Sequence, residues 1–340
     1  YDGRFNYNRS RNGSTNFSVI EKMTTGDIIT NNEARVNNKA YNFNLNQGIN
    51  LKYKIDTLGS EWTTDLSYTY APNSTDQSFT TYFISPPYPP TSGDGELENR
   101  LHFFSLQTNL TKKFPHQITF ETGLKTTNVR SRNNTDYFHE TGGTRVKDDT
   151  RTGAYRYTES INSAYLQGSK NFSGVIVKIG TRMESTNMSG HQLLPKDTSF
   201  KLKRTDFFPY IYISRDIMKI MGYPLKGYLV YRRTISRPAY DYLNPSTRYI
   251  DPYLFETGNP TLRPQFTHNY EANISVDERP ILAIGVNQTK DIFNQVVYEA
   301  DSSRAQAFRT WDNLGKNKEV YFRALGAIPP GGRYFIVAGA

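Results

Sequence analysis

The 340-residue sequence has no cysteine, which excludes a disulfide framework and any thiolate-held metal. It has no apolar run of about 18 residues, the length a membrane-crossing helix needs. Its five histidines (His102, His116, His139, His191 and His268) show no H-E-x-x-H or other metal spacing. No G-x-S-x-G elbow occurs, and no Gly-rich phosphate loop follows a strand. These absences predict a protein that is not an enzyme and carries no cofactor or metal. Lys and Arg form no block, so the net charge of +9 points away from nucleic acid. It suits phosphorylated lipid head groups or an anionic ligand better.

Apolar residues make up only 36%, yet aromatics reach 14%, and that pairing fits neither disorder nor an ordinary core. A wall with one lipid face and one watery face accounts for both, because apolar and polar side chains then alternate. Alternation is what the sequence shows. Tyr41, Phe43, Leu45, Ile49, Leu51, Tyr53 and Ile55 share one parity, against Asn42, Asn44, Asn46, Asn50, Lys52 and Lys54. Residues 270–277 and 319–324 repeat the pattern. Period two is the strand signature, and no stretch has convincing helical periodicity. In 225–233 apolar side chains occur at both parities, so alternation assigns no face to Arg232 or Arg233.

Gly- and Pro-bearing turn signals punctuate the strands at Arg11–Ser14, Thr57–Ser60, Lys113–His116, Asn171–Gly174, Met221–Pro224, Asp277–Pro280 and Pro329–Gly332. Polar segments at 24–40, 73–99, 131–153, 187–204 and 237–265 read as long loops between them. The fold predicted is all-β: an antiparallel transmembrane β-barrel with short periplasmic turns, long extracellular loops and about 14 strands. Tyr68, Tyr70, Phe103, Phe104, Phe207, Phe208, Tyr210 and Tyr212 are expected to form aromatic girdles at the membrane surfaces.

Residues 228–268 organise the chain. Pro238, Pro245, Pro252, Pro260 and Pro264 exclude a helix or central strand there, while Tyr240, Tyr242, Tyr249, Tyr253 and Phe255 argue against disorder. A connection this long is functional when it is ordered. Arg237, Tyr240, Tyr242, Arg248, Tyr249, Asp251, Tyr253 and Glu256 are the candidate ligand-binding residues. Arg beside Tyr can grip carboxylate, phosphate or sugar groups. The same residues can instead serve to hold the loop folded over the rim. Tyr82 and Tyr88, in the Pro-rich run 82–90, are further candidates for presentation to a ligand or partner. The pair Asp148-Asp149 reads as a solvated loop rather than a cation site.

The series Arg237-Pro238, Asn244-Pro245, Asp251-Pro252, Gly258-Asn259-Pro260 and Leu262-Arg263-Pro264-Gln265 resembles TonB-dependent receptors, chiefly the outer-membrane β-barrel proteins common in Bacteroidetes. Phe208-Pro209-Tyr210 and Asn313-Leu314-Gly315-Lys316 fit the same family. The resemblance implies a barrel of about 22 strands around an N-terminal plug. It also implies a TonB box that receives energy from the inner membrane, and uptake of an iron chelate, cobalamin, glycan or peptide. Residues 1–340 are expected to be part of the barrel domain of a longer protein, with the plug and further strands lying elsewhere. Expected partners are outer-membrane lipid, the TonB system through that plug, and possible surface lipoproteins or complex subunits. The alternative is a barrel of this family acting as a scaffold or accessory subunit of a surface complex.

Overall fold

The computed structural model describes residues 1–340 except 23, 195–196, 221–222, 246, 251–252, 277–278, 302–305, 332–333 and 340. Residues 220, 223, 249, 279–280, 301, 325–331 and 334–339 are described by backbone alone. The chain opens with five long strands: β1 (Asp2–Glu21), β2 (Ile28–Lys54), β3 (Glu61–Ser85), β4 (Thr91–Phe114) and β5 (Ile118–Thr141). The short β6 (Thr144–Lys147) folds back on β5. The wall continues through β7 (Gly153–Phe172), β8 (Val175–Leu194), β9 (Thr198–Ile220) and β10 (Tyr223–Ser236). A long excursion carries the one-turn helix α1 (Tyr240–Leu243), β11 (Arg248–Tyr249) and β12 (Leu254–Glu256). Then come β13 (Gln265–Val276), β14 (Arg279–Asp301), β15 (Gln306–Gly331) and β16 (Tyr334–Gly339).

Successive wall strands pair antiparallel, giving one continuous up-and-down sheet. Among the described residues β1 pairs only with β2, so the wall is an open arc rather than a closed ring. Alternation sorts its two faces. On β5, Phe120 and Leu124 are exposed on one face; on β2, β8 and β9 the same face shows Leu51, Ile179, Ile211 and Ile213. The opposite face carries amides and hydroxyls that bond to one another. Gln77 donates to Asn38 (2.9 Å), Tyr137 to Gln77 (3.0 Å) and Ser131 to Asn99 (3.0 Å). The excursion after β10 reaches β4 and β2 along this polar face, a chord that only the concave side of the arc provides. The polar face is therefore the lumen, and the apolar face meets lipid.

Several expectations need correcting. Arg11–Ser14 is not a turn: β1 runs straight through it, pairing Asn12 with Asn38 and Gly13 with Asn37. The turns at 57–60, 115–117 and 173–174 form as expected; those at 221–224, 277–280 and 329–332 lie partly outside the described residues. Most of the segments 24–40, 73–99, 131–153 and 187–204 are strand, not long loop. Beyond the lipid belt both faces meet water, so the apolar stripe stops while the hydrogen-bonded ladder continues. Of the five segments, among the described residues, only the last, 237–264, is a long loop. Phe208 is buried, and Tyr210 and Tyr212 line a lumen cavity with Arg232 and Glu271, so these three do not belong to a lipid-facing girdle. Arg232 faces the lumen, its Nε donating to Asn269 Oδ1 at 3.2 Å. The neighbouring Arg233 has the other parity and donates to the Phe207 carbonyl at 2.8 Å.

Candidate functional site: a loop folded across the lumen

The excursion turns inward at Ser236, where β10 stops and Pro238 withholds a ladder donor. Arg237 is the first anchor. Its guanidinium donates to Glu184, a buried lumen carboxylate on β8 that also pairs with Arg182 at 2.9 Å. Next, Tyr240 accepts from Asn99 Nδ2 on β4 at 2.8 Å. Leu243, 1% exposed, is the deepest apolar side chain of the loop. It packs with Tyr155, Tyr157, Met188 and Leu262, an apolar cluster set inside an otherwise polar lumen. That burial of hydrocarbon is what draws the chain off the rim.

The two arms of the loop then zip together. Gly258 N donates to Asn244 O (2.8 Å) and Asn259 N to Tyr242 O (2.6 Å). A Cβ on Gly258 would lie 2.4 Å from Asn244 O and 2.7 Å from Tyr242 O, so only glycine permits this approach. Asn259 closes an Asx turn onto Thr261 N (2.9 Å) and donates its Nδ2 to Trp311 O (3.0 Å). The Asn-Pro and Gly-Asn-Pro motifs thus have a backbone purpose: they form the clasp of the loop. Asn313 on β15 completes it, bonding Arg263 N (2.9 Å) and Arg263 O (3.0 Å).

Farther out, β12 pairs parallel with β15, placing Phe255 opposite Phe308 with their rings stacked at 5.8 Å. Tyr253 crosses to β2 and donates to Thr30 Oγ1 at 3.1 Å. Glu256 receives both Arg248 and Arg309. Burial opposes its ionisation, but the hydrogen bonds and charge of Arg248, with the charge of Arg309, outweigh that and hold the carboxyl below the usual range. Asp241 behaves oppositely: enclosure by the lumen walls pushes its carboxyl up, against the pull of Tyr240 and Arg248.

A depressed carboxyl stabilises the docked loop fully above its free value, and that contribution fades as pH falls through the lowered one. Proteolytic nicking within 240–262 should therefore rise with acidification below about pH 4.5. Glu256→Gln should flatten this rise, and an unchanged pH profile in that variant would exclude the Glu256 triad as the source. Asp241 works against the trend and remains in both proteins, so the comparison isolates Glu256.

Between loop and wall lies a cavity of about 430 Å³. Asp241, Asn244, Asn133 and Gln295 give it polar groups, and Tyr242 stacked on Trp311 at 3.8 Å gives it an aromatic wall. The structure brings Arg237, Tyr240, Tyr242, Arg248, Tyr253 and Glu256 onto one folded loop. Tyr249 joins it by backbone pairing with Phe255, and Asp251 lies outside the described residues. Tyr82 and Tyr88 stand apart. Tyr82 is on the outer face under Arg35 (5.0 Å), and Tyr88 packs on the edge of Phe83. Sequence reasoning missed Glu184, Asn99, Trp311 and Arg309, which come from distant strands. Only the Asn313-Leu314-Gly315-Lys316 motif pointed toward that part of β15. Asp148 is taken up by the amides of Thr150 (3.0 Å) and Arg151 (3.3 Å), as a turn cap.

No curated protein matches the sequence. Among solved structures, the copper transporter OprC aligns with a TM-score of 0.55 at 9% identity, covering 99% of this chain and 60% of its own. The hemophore receptor HasR of Serratia marcescens, solved with its hemophore HasA and heme, aligns at 0.50 and 11% identity, covering 93% and 56%. The chain thus spans a little over half the length of these structures, and at such identities the likeness is one of fold. Residues 53–338 match the outer membrane protein beta-barrel family. The chain belongs to that family, as its motifs and alternation led us to expect, and its place is the bacterial outer membrane.

Proposed function

We propose that this chain is the barrel wall of a TonB-dependent outer-membrane receptor, and that loop 237–264 is both its ligand-contacting element and its gate. The observation that carries the reading is the loop-walled cavity in the lumen, lined by Asp241, Asn244, Gln295 and the Tyr242–Trp311 stack. Its polar lining is made of amides, one carboxylate and an indole, while Arg237, Arg248 and Arg309 are paired with Glu184 and Glu256. Such a lining suits a neutral or cationic polar ligand with an aromatic or sugar face. Of the four ligand classes the family resemblance implies, a glycan or peptide fits better than an anionic iron chelate. Energy would come from the TonB system through a plug outside these residues.

The test is equilibrium retention of an oligosaccharide, a peptide, cobalamin and a ferric chelate by the purified protein and by Trp311→Ala. One class should be retained, and Trp311→Ala should weaken it about tenfold through loss of stacking. Retention of none of the four, or equal retention by the variant, overturns the site. The scaffold reading keeps one observation in its favour: every arm of the loop is tied to the wall, as a purely structural strap would be.

A further inference from the structure

The outer face carries a feature that the lumen site does not use. Arg100 on β4 pairs directly with Arg132 on β5, and Arg132 with Arg156 on β7. Arg130 lies one outward position below Arg132, opposite His102. All four arginines are exposed and share the parity of Leu106, Leu124 and Leu166, so they point away from the lumen. Directly opposed residues of an antiparallel ladder have Cα atoms only about 4.5–5.5 Å apart. Like charges held so are mutually destabilising. Arg100 has Glu98 at 3.3 Å, but among the described residues no carboxylate pairs with Arg130, Arg132 or Arg156. A row of four cations across three strands, three of them without a carboxylate, calls for an anion from outside.

Position says which anion. Going down β4 toward the tight-turn end, the outer face reads Arg100, His102, Phe104, Leu106. Tyr68 bonds His102 at 2.9 Å and Tyr70 packs on it at 4.8 Å, forming an aromatic shelf. Each outward step along a strand is about 7 Å, so Arg130 is level with the shelf that marks the hydrocarbon boundary, and Arg100, Arg132 and Arg156 sit about one step above it. The shelf lines a groove of about 720 Å³ together with Arg100, Arg130 and Arg132, and Arg156 stands beside it on β7, paired with Arg132. Cations just above an aromatic belt lie at the level of lipid phosphates, and the forked guanidinium matches phosphate geometry.

We propose that this groove binds the phosphate of an outer-leaflet lipid headgroup, with Arg100, Arg130 and Arg132 as its cations, Arg156 adding charge from the next strand, and Tyr68 and Tyr70 as its floor. The proposal is independent of the lumen site and of what the protein takes up. The full-length protein in detergent is to be mixed with bisphosphorylated lipid A, with the same lipid stripped of phosphate, or with inorganic phosphate as competitor. Bound lipid is then counted by native mass spectrometry. Retention of the phosphorylated lipid should exceed that of the stripped one about tenfold or more. Arg130→Gln/Arg132→Gln should lose most of that difference, whereas Arg132→Lys should keep much of it. Equal retention of the two lipids by the unmodified protein overturns the proposal, whether or not the double variant folds. Displacement of the lipid by equimolar inorganic phosphate also overturns it, because the site would then be one for free anions. Heat-modifiable gel mobility shows that each variant keeps its barrel.

Discussion

A Phe255→Cys/Phe308→Cys protein should take up its ligand when reduced and at least about tenfold less when oxidised. The two positions face each other in the parallel pairing of β12 with β15, with stacked side chains. Neighbouring strands lie about 4.7–4.9 Å apart, within the Cα separation of about 4.4–6.8 Å that a disulfide needs. Since the sequence has no cysteine, this pair would be the only thiols within these residues. Oxidation would fasten the outer arm of the loop to the wall without touching the cavity lining at Asp241 or Trp311. If the loop is a gate it must leave the lumen for cargo to pass, and the cross-link forbids that. The reduced protein controls for the lost ring stack. Equal uptake in both redox states would remove the gate and leave the scaffold reading in its place.

The second large effect is expected at a position with no side chain. Gly258→Val should undock the loop, because its Cβ would run into the backbone of Asn244 and Tyr242 rather than into a side chain that could swing aside. Two backbone hydrogen bonds go with it, at roughly 1 kcal/mol each. The seating of Leu243 beside Leu262 is disturbed as well, and loss of such a buried leucine is worth roughly 2–5 kcal/mol. The loss should be local, since the wall ladder does not pass through Gly258. Two readouts report it: rapid proteolysis within 240–262, and a shift in Trp311 emission as Tyr242 departs from its face. The only other tryptophan, Trp62, is exposed on the outer face and can be replaced by Phe to clear the signal. A Gly258→Val protein with normal protease resistance would show that the clasp is not what holds the loop.

The parts of this molecule legible in its sequence are those where lipid imposes a pattern. Residues 41–55 alternate because one side meets hydrocarbon, and they form the lower half of β2 as expected. The upper half, 28–40, looks like loop because water wets its outside, and nothing in the residue types then separates strand from coil. The turn reading at Asn12-Gly13 failed for a related reason. That dipeptide favours a reversal, yet pairing with β2 on both sides of it keeps the strand extended. For the site, the Pro, Tyr and Arg content of 237–264 marked an ordered loop, and its motifs marked the family. The direction in which it folds was not legible, because its anchors are far away in sequence: Asn99 is 141 residues from Tyr240, and Thr30 is 223 from Tyr253. No local pattern encodes such partners.

The length of the wall strands has a mechanical consequence. β2 runs for 27 residues and β3 for 25, more than twice what a transmembrane strand of about 10 residues requires. Their upper halves stand as cantilevers rooted in the bilayer. A tilt of ~5° at the root moves a tip ~35 Å away by ~3 Å, enough to break a hydrogen bond across the lumen. Loop 237–264 holds β2 and β15 near their upper ends and β4 and β8 farther down, and so works as a brace against such sway. Releasing it would loosen the whole upper rim at once, turning one loop's departure into a widening of the mouth.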